Sequence, residues 1–306
     1  MWRRCSSFRA RKVFALGAAW LLCAAAASTA YADGTPIPHG TLELVAENQS
    51  IAAGRTIYLG LRFQLEKGWH IYWVNPGDSG EPPRLKWQLP AGVSVGEMEW
   101  PTPRRLGTQS IVDFGYEDGV MLIVPAHAEA SVATQGLAQI GAEVKVLVCR
   151  EMCIPGKAQL SLTLPVKSQS PVPDARAAGW FAAARKELPC PPSASWKISV
   201  TDAGDALVLT AKLGERVAHA DFFPREEAQV KDAAPQQFAA LPGGFRLTLR
   251  KSDQLLKPIA RLKGVLVLQD DRGYIIDVPV SQAVSTLGDD GIGIGQAEFL
   301  KEVTQK

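Results

Sequence analysis

Sulfur and imidazole are scarce in this chain, which has five cysteines, four methionines and four histidines in 306 residues. Any chemistry built on them must rest on a few positions. Beyond residue 32 there is no run of about 18 apolar residues, so the remainder offers no membrane-spanning helix. A basic excess is also missing. The formal charge of +2 includes Arg3, Arg4, Arg9, Arg11 and Lys12, and no acidic residue precedes Asp33. Without those five, 28 basic residues face 31 acidic ones, close to −3. No basic patch remains to suggest nucleic acid as a partner. The turn-rich stretch Asn75–Pro83 is followed by no helix pattern, so its glycines do not announce a phosphate site, and no tandem repeat occurs.

Residues 1–32 have the parts of an export signal: the basic start, the apolar run Val13–Ala27, and Ala30-Tyr31-Ala32 before a cleavage point at Asp33. The apolar run is shorter than the roughly 20 residues a span needs, which makes a retained anchor the weaker reading. Cys5 and Cys23 go with this segment. The expectation is a mature chain of 274 residues in an oxidising space such as a bacterial periplasm, where disulfides persist. It retains Cys149, Cys153 and Cys190, an odd number that leaves one cysteine without an obvious partner.

The organising stretch is Ala142–Val166. Val144, Val146 and Val148 share one parity, with Glu143, Lys145, Leu147 and Cys149 on the other. Ala158, Leu160, Leu162 and Leu164 repeat the pattern. Period-2 alternation on both sides of Arg150-Glu151-Met152 predicts a β-hairpin with Cys149 and Cys153 facing each other at its tip, on the mostly polar face. Pro155-Gly156 is where the register could slip by one. Opposed residues in an antiparallel pair lie about 4.5–5.5 Å apart at Cα, within disulfide reach. As a staple such a bond achieves little, because closing so short a loop constrains the unfolded chain least. An exposed bond of this kind belongs with the labile or catalytic class. Two other readings stand beside a redox-active pair: a structural disulfide, and a Cu(I) site using the soft ligands Cys149, Met152 and Cys153.

Short alternating runs fill the chain to about residue 168. Thr41–Ala46, Ile57–Leu65, Trp69–Trp73, Leu85–Leu89, Val93–Trp100 and Val120–Pro125 read as strands. Trp69, Ile71 and Trp73 fit a sandwich core, and His70, on the opposite parity, reads as a hydrogen-bonded surface group. Phe114 and Tyr116 stand among turn residues and read as a loop, either packing locally or covering a reactive group. Ser168–Pro173 has linker texture, and Asp174 is the expected N-cap of a helix to about Leu188 with Trp180, Phe181 and Ala184 on one side. Cys190, between prolines, receives no catalytic role. A second unit of six runs starts at Trp196 and lacks cysteine, which suits support or binding. Residues 282–306 open with a Gly/Asp-rich stretch and end in a short helix pattern.

The resulting expectation is an all-β chain of two immunoglobulin-like β-sandwich domains joined by a linker with a short helix. Its divisions are a signal at 1–32, a first domain at 33–168 carrying the cysteine pair, a linker at 169–194, a second domain at 195–281 and a tail at 282–306.

With these residues in view, the chain resembles the N-terminal periplasmic part of the thiol:disulfide interchange protein DsbD, and more closely its suppressor-of-copper-sensitivity relatives of the ScsB type. The resemblance is carried by Gly68–Gly80, Trp100-Pro101, Asp113–Glu117 and Leu147–Pro155, and in the second unit by Ala220–Pro224 and Gly264–Val267. It implies a thiol–disulfide exchange module that takes reducing equivalents from a membrane electron-transfer protein and passes them to periplasmic thioredoxin-like proteins. By position, Cys149 and Cys153 would be the redox pair, and the loop with Phe114 and Tyr116 the cap that shields it. No cofactor is implied. The family's multi-span membrane domain and C-terminal thioredoxin domain do not occur up to Lys306, so the membrane partner is expected to be separately encoded.

Overall fold

The computed structural model describes residues 34–107, 110–134 and 136–282. The export signal and the C-terminal helix pattern lie outside the described residues. In chain order the strands of the first unit are β1 (Thr35–Ile37), β2 (Gly40–Ala46), β3 (Arg55–Leu65), β4 (His70–Gly77), β5 (Arg84–Gln88) and β6 (Val93–Val95). They continue with β7 (Arg104–Gly107), β8 (Val112–Glu117), β9 (Gly119–Ala128), β10 (Leu137–Cys149) and β11 (Cys153–Pro165). After α1 (Ala178–Glu187) the second unit comprises β12 (Lys197–Asp202), β13 (Ala206–Lys212), β14 (Ala220–Pro224), β15 (Gln237–Leu241), β16 (Gly244–Arg250), β17 (Arg261–Leu268) and β18 (Gly273–Gln282).

Alternation decides which face of each strand is buried. On β3, Ile57, Leu59, Leu61 and Phe63 are buried, while Arg62 and Gln64 reach outward. This face belongs to a five-stranded sheet ordered β1-β2-β3-β9-β6. A six-stranded sheet opposes it, ordered β11-β10-β4-β8-β7, with β5 added along β10. Between the two sheets Leu42, Leu61 and Phe63 join Ile71, Trp73, Ile140 and Val144 in one apolar core. Each fully buried side chain of this size contributes about 1.5–3 kcal/mol.

The second unit is a seven-stranded sheet, β14-β17-β18-β12-β13-β16-β15, wrapped around Leu209, Phe222, Phe245, Leu247 and Leu266. Strand β15, exposed along most of its length, has no clean alternation and was absent from the sequence expectation. β1 and β7, of three and four residues, were likewise too short to register.

The stretch read as a linker is strapped to its neighbours. Gln49 and Asp174 donate from their backbone nitrogens to Val172 and Glu47 carbonyls at 3.0 and 2.8 Å. The Asp174 carboxylate accepts from the Arg176 and Ala177 nitrogens at 2.9 and 3.1 Å, capping the turn that leads into α1. Helix α1 then lays Phe181 and Ala184 against Val45, Met121 and Ile123 on the outer face of the first sheet. Beyond it the Cys190 nitrogen donates to the Gly273 carbonyl at 2.9 Å and the Cys190 carbonyl accepts from Ile275 at 2.8 Å, stitching the connection onto β18.

The two units share core. Phe223 and Val265 of the second unit pack within the apolar cluster of the first. The Phe223 ring meets Phe114 edge-on at 5.2 Å, and the Arg105 guanidinium lies over both rings at 5.4 and 5.6 Å. Arg105 also donates to the Asp232 carbonyl at 3.0 Å.

Asp232 is buried at this junction, and its Oδ1 has no hydrogen-bond partner among the described residues. Burial first, then the neighbouring charge of Asp78, lifts its pKa to about 7, with Arg105 opposing and Glu227 adding to the rise. An acid whose folded pKa exceeds its unfolded value costs nothing below the unfolded pKa and its full penalty above the folded one. The chain should therefore lose stability as pH rises from about 4 to about 7 through this group. Asp232→Asn is expected to raise stability at pH 8 by up to about 2–3 kcal/mol and by little at pH 4. Denaturation across that pH range checks this, and an equal gain at both ends would refute it.

Candidate functional site

The β10–β11 hairpin holds its register without a slip from Leu137↔Pro165 to Cys149↔Cys153, passing through Leu147↔Pro155 and Val146↔Gly156. The two cysteines are the last opposed pair before the Arg150–Met152 turn, which closes with a bond from the Arg150 nitrogen to the Met152 carbonyl at 3.1 Å. They form a disulfide with Cα atoms 4.1 Å apart.

Their surroundings differ. Cys149 is only 2% exposed, whereas Cys153 is exposed. Parity had placed Cys149 on a mostly polar face, and this is corrected by β4. That strand pairs with β10 at one position, His70↔Cys149, and covers it. Cys153, on the outermost strand of the sheet, has no such neighbour.

β4 brings its other parity to the sulfurs as well. The Tyr72 hydroxyl lies 3.3 Å from the Cys153 Sγ, and the His70 ring meets the Tyr72 ring edge-on at 5.3 Å. Both side chains are buried although they point away from the sandwich core, and the segment Asn75–Pro83 folds back over Tyr72. Gly80, at φ +80°, lies flat against the Tyr72 ring, and any Cβ there would overlap it. Ser79 donates from its nitrogen and hydroxyl to Asp113 Oδ1 at 3.1 and 2.8 Å. Asp78 accepts from the Val112 nitrogen at 2.8 Å. The sequence signalled a loop of defined shape over Asn75–Pro83; β4 instead runs through Gly77, and these bonds define the part that follows.

Burial favours the neutral forms of Tyr72 and His70. Burial pushes the Tyr72 phenol up, with a hydrogen bond to Ser79 pulling the other way, so the hydroxyl keeps its proton and can donate. Burial lowers His70 against the attraction of Asp113 and Glu117, and its Nε2 has no partner among the described residues. His70 is therefore a buried neutral imidazole rather than the surface group expected. Burial also raises Asp113, which its bonds to Ser79 oppose.

Phe114 and Tyr116 do not lie in a loop. They are inward positions of β8, at 0% and 6% exposure, where Phe114 packs edge-on to Trp73 and Tyr116 donates to the Pro101 carbonyl at 2.8 Å. The turn-forming residues around them misled the reading. Gly115 is needed because a Cβ there would strike the Ile71 carbonyl, and Asp113 is satisfied by Ser79. Neither aromatic ring has a described contact with the sulfurs, and the group that has one, Tyr72, went unselected. The signal for it was its place one strand step from His70, before a long turn-rich segment.

At the hairpin tip Met152 is 66% exposed, and Arg150 pairs with Glu151 at 3.1 Å while lying over the Trp69 ring at 5.1 Å. Trp69 is also stacked on His39 at 3.6 Å. With the two sulfurs bonded to each other, the Cys149, Met152, Cys153 set is not a metal site in this oxidation state. Among the described residues no three His, Cys, Asp or Glu side chains cluster to hold a metal.

A disulfide held at a strand tip, one sulfur shielded and one open beside a phenol, is the arrangement of a thiol–disulfide interchange domain on a β-sandwich. Residues 41–165 match the family model described as "Thiol:disulfide interchange protein DsbD, N-terminal". Over a longer span the chain is similar in structure to the N-terminal periplasmic domain of ScsB from Proteus mirabilis, with a TM-score of 0.61 at 18% identity, covering 83% of this chain and 98% of that one. Domains 5–6 of the S-layer protein SbsC align over 80% of this chain and 99% of theirs at 10% identity, with a TM-score of 0.21, too low to bear on the fold. No curated protein matches the sequence. Among the described residues no helix is long and apolar enough to cross a membrane.

After reduction, Cys153 is expected to react with iodoacetamide at least about tenfold faster than Cys149, because a thiol's reactivity follows its exposure and thiolate fraction. Peptide mass spectrometry against time reads this directly, and equal rates would contradict the asymmetry. Tyr72→Phe removes a donor to the Cys153 thiolate and should raise that thiol's pKa by about one unit. An unchanged alkylation pH profile would mean that the 3.3 Å contact carries no charge-stabilising bond.

Proposed function

We propose that the protein is a periplasmic thiol–disulfide exchange module that relays reducing equivalents through Cys149 and Cys153 from a membrane electron donor to thioredoxin-like proteins. The observation that carries this reading is the asymmetry of the pair: an exposed Cys153 joined to a buried Cys149 at the tip of a rigid hairpin. The match of residues 41–165 to the DsbD N-terminal family model supports it.

In the receiving half, a thiolate of the reduced donor attacks the Cys153 Sγ. The Cys149–Cys153 bond breaks, and its electron pair leaves on the Cys149 sulfur, which takes up a proton. The donor's second thiol then attacks the donor sulfur of the mixed disulfide and releases Cys153. Two electrons and two protons have entered the protein, and the donor leaves as a disulfide. In the delivering half, the Cys153 thiolate attacks the acceptor disulfide and Cys149 resolves the mixed species, restoring the bond seen here. Tyr72 would act in both halves by donating to the Cys153 sulfur whenever it carries negative charge.

Cys149→Ser leaves the attacking thiol without its resolver. It is expected to accumulate a mixed disulfide through Cys153 when mixed with an oxidised thioredoxin-like protein, resolved on non-reducing gels and mapped by mass spectrometry. Cys153→Ser should give no such species. The pair's reduction potential should fall at about −180 to −270 mV, the span of exchange catalysts, whereas a value below about −300 mV would mark a structural bond.

A further inference from the structure

The second β unit carries no cysteine and stands away from the sulfurs in sequence, yet one continuous set of contacts runs from it to Cys153. It begins at the Pro224 carbonyl, at the end of β14, which accepts from Asn75 Nδ2 at 2.8 Å. Asn75 is fully buried, and its Oδ1 accepts from the Gly77 nitrogen at 3.0 Å, so one side chain both holds the second unit and shapes the segment it begins. In the same place the β4–β8 ladder shifts register, between Tyr72 and Gly77, and resumes only at Gly77↔Asp113, so strand pairing holds the segment at its start alone. Its position is set by the Asn75 tie, by Asp78 and Ser79 bonded to β8, and by Gly80 lying on the Tyr72 ring. Tyr72 in turn touches the Cys153 Sγ at 3.3 Å. Phe223, next to Pro224, is locked against Phe114 and Arg105, so the carbonyl that Asn75 grips is not free to drift.

We infer that Asn75 and Gly80 are positioning residues for the exposed cysteine: the second β unit, through the Pro224 carbonyl, fixes the segment that presses Tyr72 onto Cys153 and so helps set that thiol's reactivity. The inference rests on the exchange reading above and gives the second unit a part in it. A hydrogen-bond donor that must meet a sulfur within a few tenths of an ångström depends on what holds its ring, and here Gly80 of this segment lies directly against the ring.

The test uses the reduced whole chain and follows alkylation of Cys153 by iodoacetamide against pH. Asn75→Ala and Gly80→Ala are each expected to move the midpoint upward, in the direction of Tyr72→Phe, and to slow the reaction at pH 7 several-fold. Combined with Tyr72→Phe, neither should add a further shift, because all three changes remove the same contact. Phe223→Leu, which loosens the seat of the second unit without touching the segment, should shift Cys153 in the same direction and decides the matter if Asn75→Ala does not fold. Profiles identical to wild type in the folded variants would overturn the inference. So would shifts that persist in full in the Tyr72→Phe background. The readout needs no partner protein, so a wild-type chain that fails to exchange with thioredoxin-like proteins would remove the functional reading while leaving this measurement to stand or fall by itself.

Discussion

The structure depends on one register. With Val144 opposite Ala158 and Leu160 opposite Ala142, Val144, Val146, Val148, Ala158, Leu160 and Leu164 face the core and the cysteines come out opposed at the tip of the long hairpin. A slip of a single residue would turn the whole apolar set to solvent. The burial of β10 and β11 therefore enforces the geometry at the sulfurs, where a three-residue turn alone could not. The disulfide adds little to the stability of a hairpin already held in this way. On the proposed exchange reading, the bond would open and close with the hairpin held by its core.

The asymmetry between the sulfurs comes from the edge of the sheet rather than from the hairpin. β10 has β11 on one side and, on the other, β5 along its middle and β4 at its end. Cys149 is thus an interior position, and Cys153, one strand further out, is a peripheral one. The strand that buries Cys149 also delivers Tyr72 to Cys153, so shielding one sulfur and placing a donor beside the other are the same structural event. The phenol is held neutral by its burial, which suits it to donate and not to compete as an anion.

Much of this was legible in the sequence. Period-2 alternation located the hairpin and the core strands, and it paired the cysteines, because those features follow from local pattern. The errors share a cause. Cys149, His70 and Tyr72 lie on parities that face away from the sandwich core, and alternation assigns such residues to solvent. Neighbouring elements cover what the parity exposes: β4 lies over Cys149, and the Asn75–Pro83 segment over Tyr72. Phe114 and Tyr116 failed in the opposite sense. Their flanking Asp113 and Gly115 are turn formers in isolation, but here they answer a tertiary demand, a carboxylate for Ser79 and a close backbone approach to Ile71.

The second unit shows the same principle at larger scale. By composition it is inert, having no cysteine and a single histidine, His219, exposed and paired with Asp221 at 2.9 Å. Its contribution is mechanical. Phe223 and Val265 complete the core of the first unit, and the Pro224 carbonyl anchors the segment behind Tyr72. A sandwich with its reactive pair at an edge has to support the outer face of the strand beside that pair, since water would otherwise compete for every polar group there. Here a turn-rich segment supplies the cover, and a neighbouring unit fixes the segment. Removing that neighbour would expose both an apolar patch and the shell of the reactive thiol, which ties the seating of the second unit to the chemistry of the first.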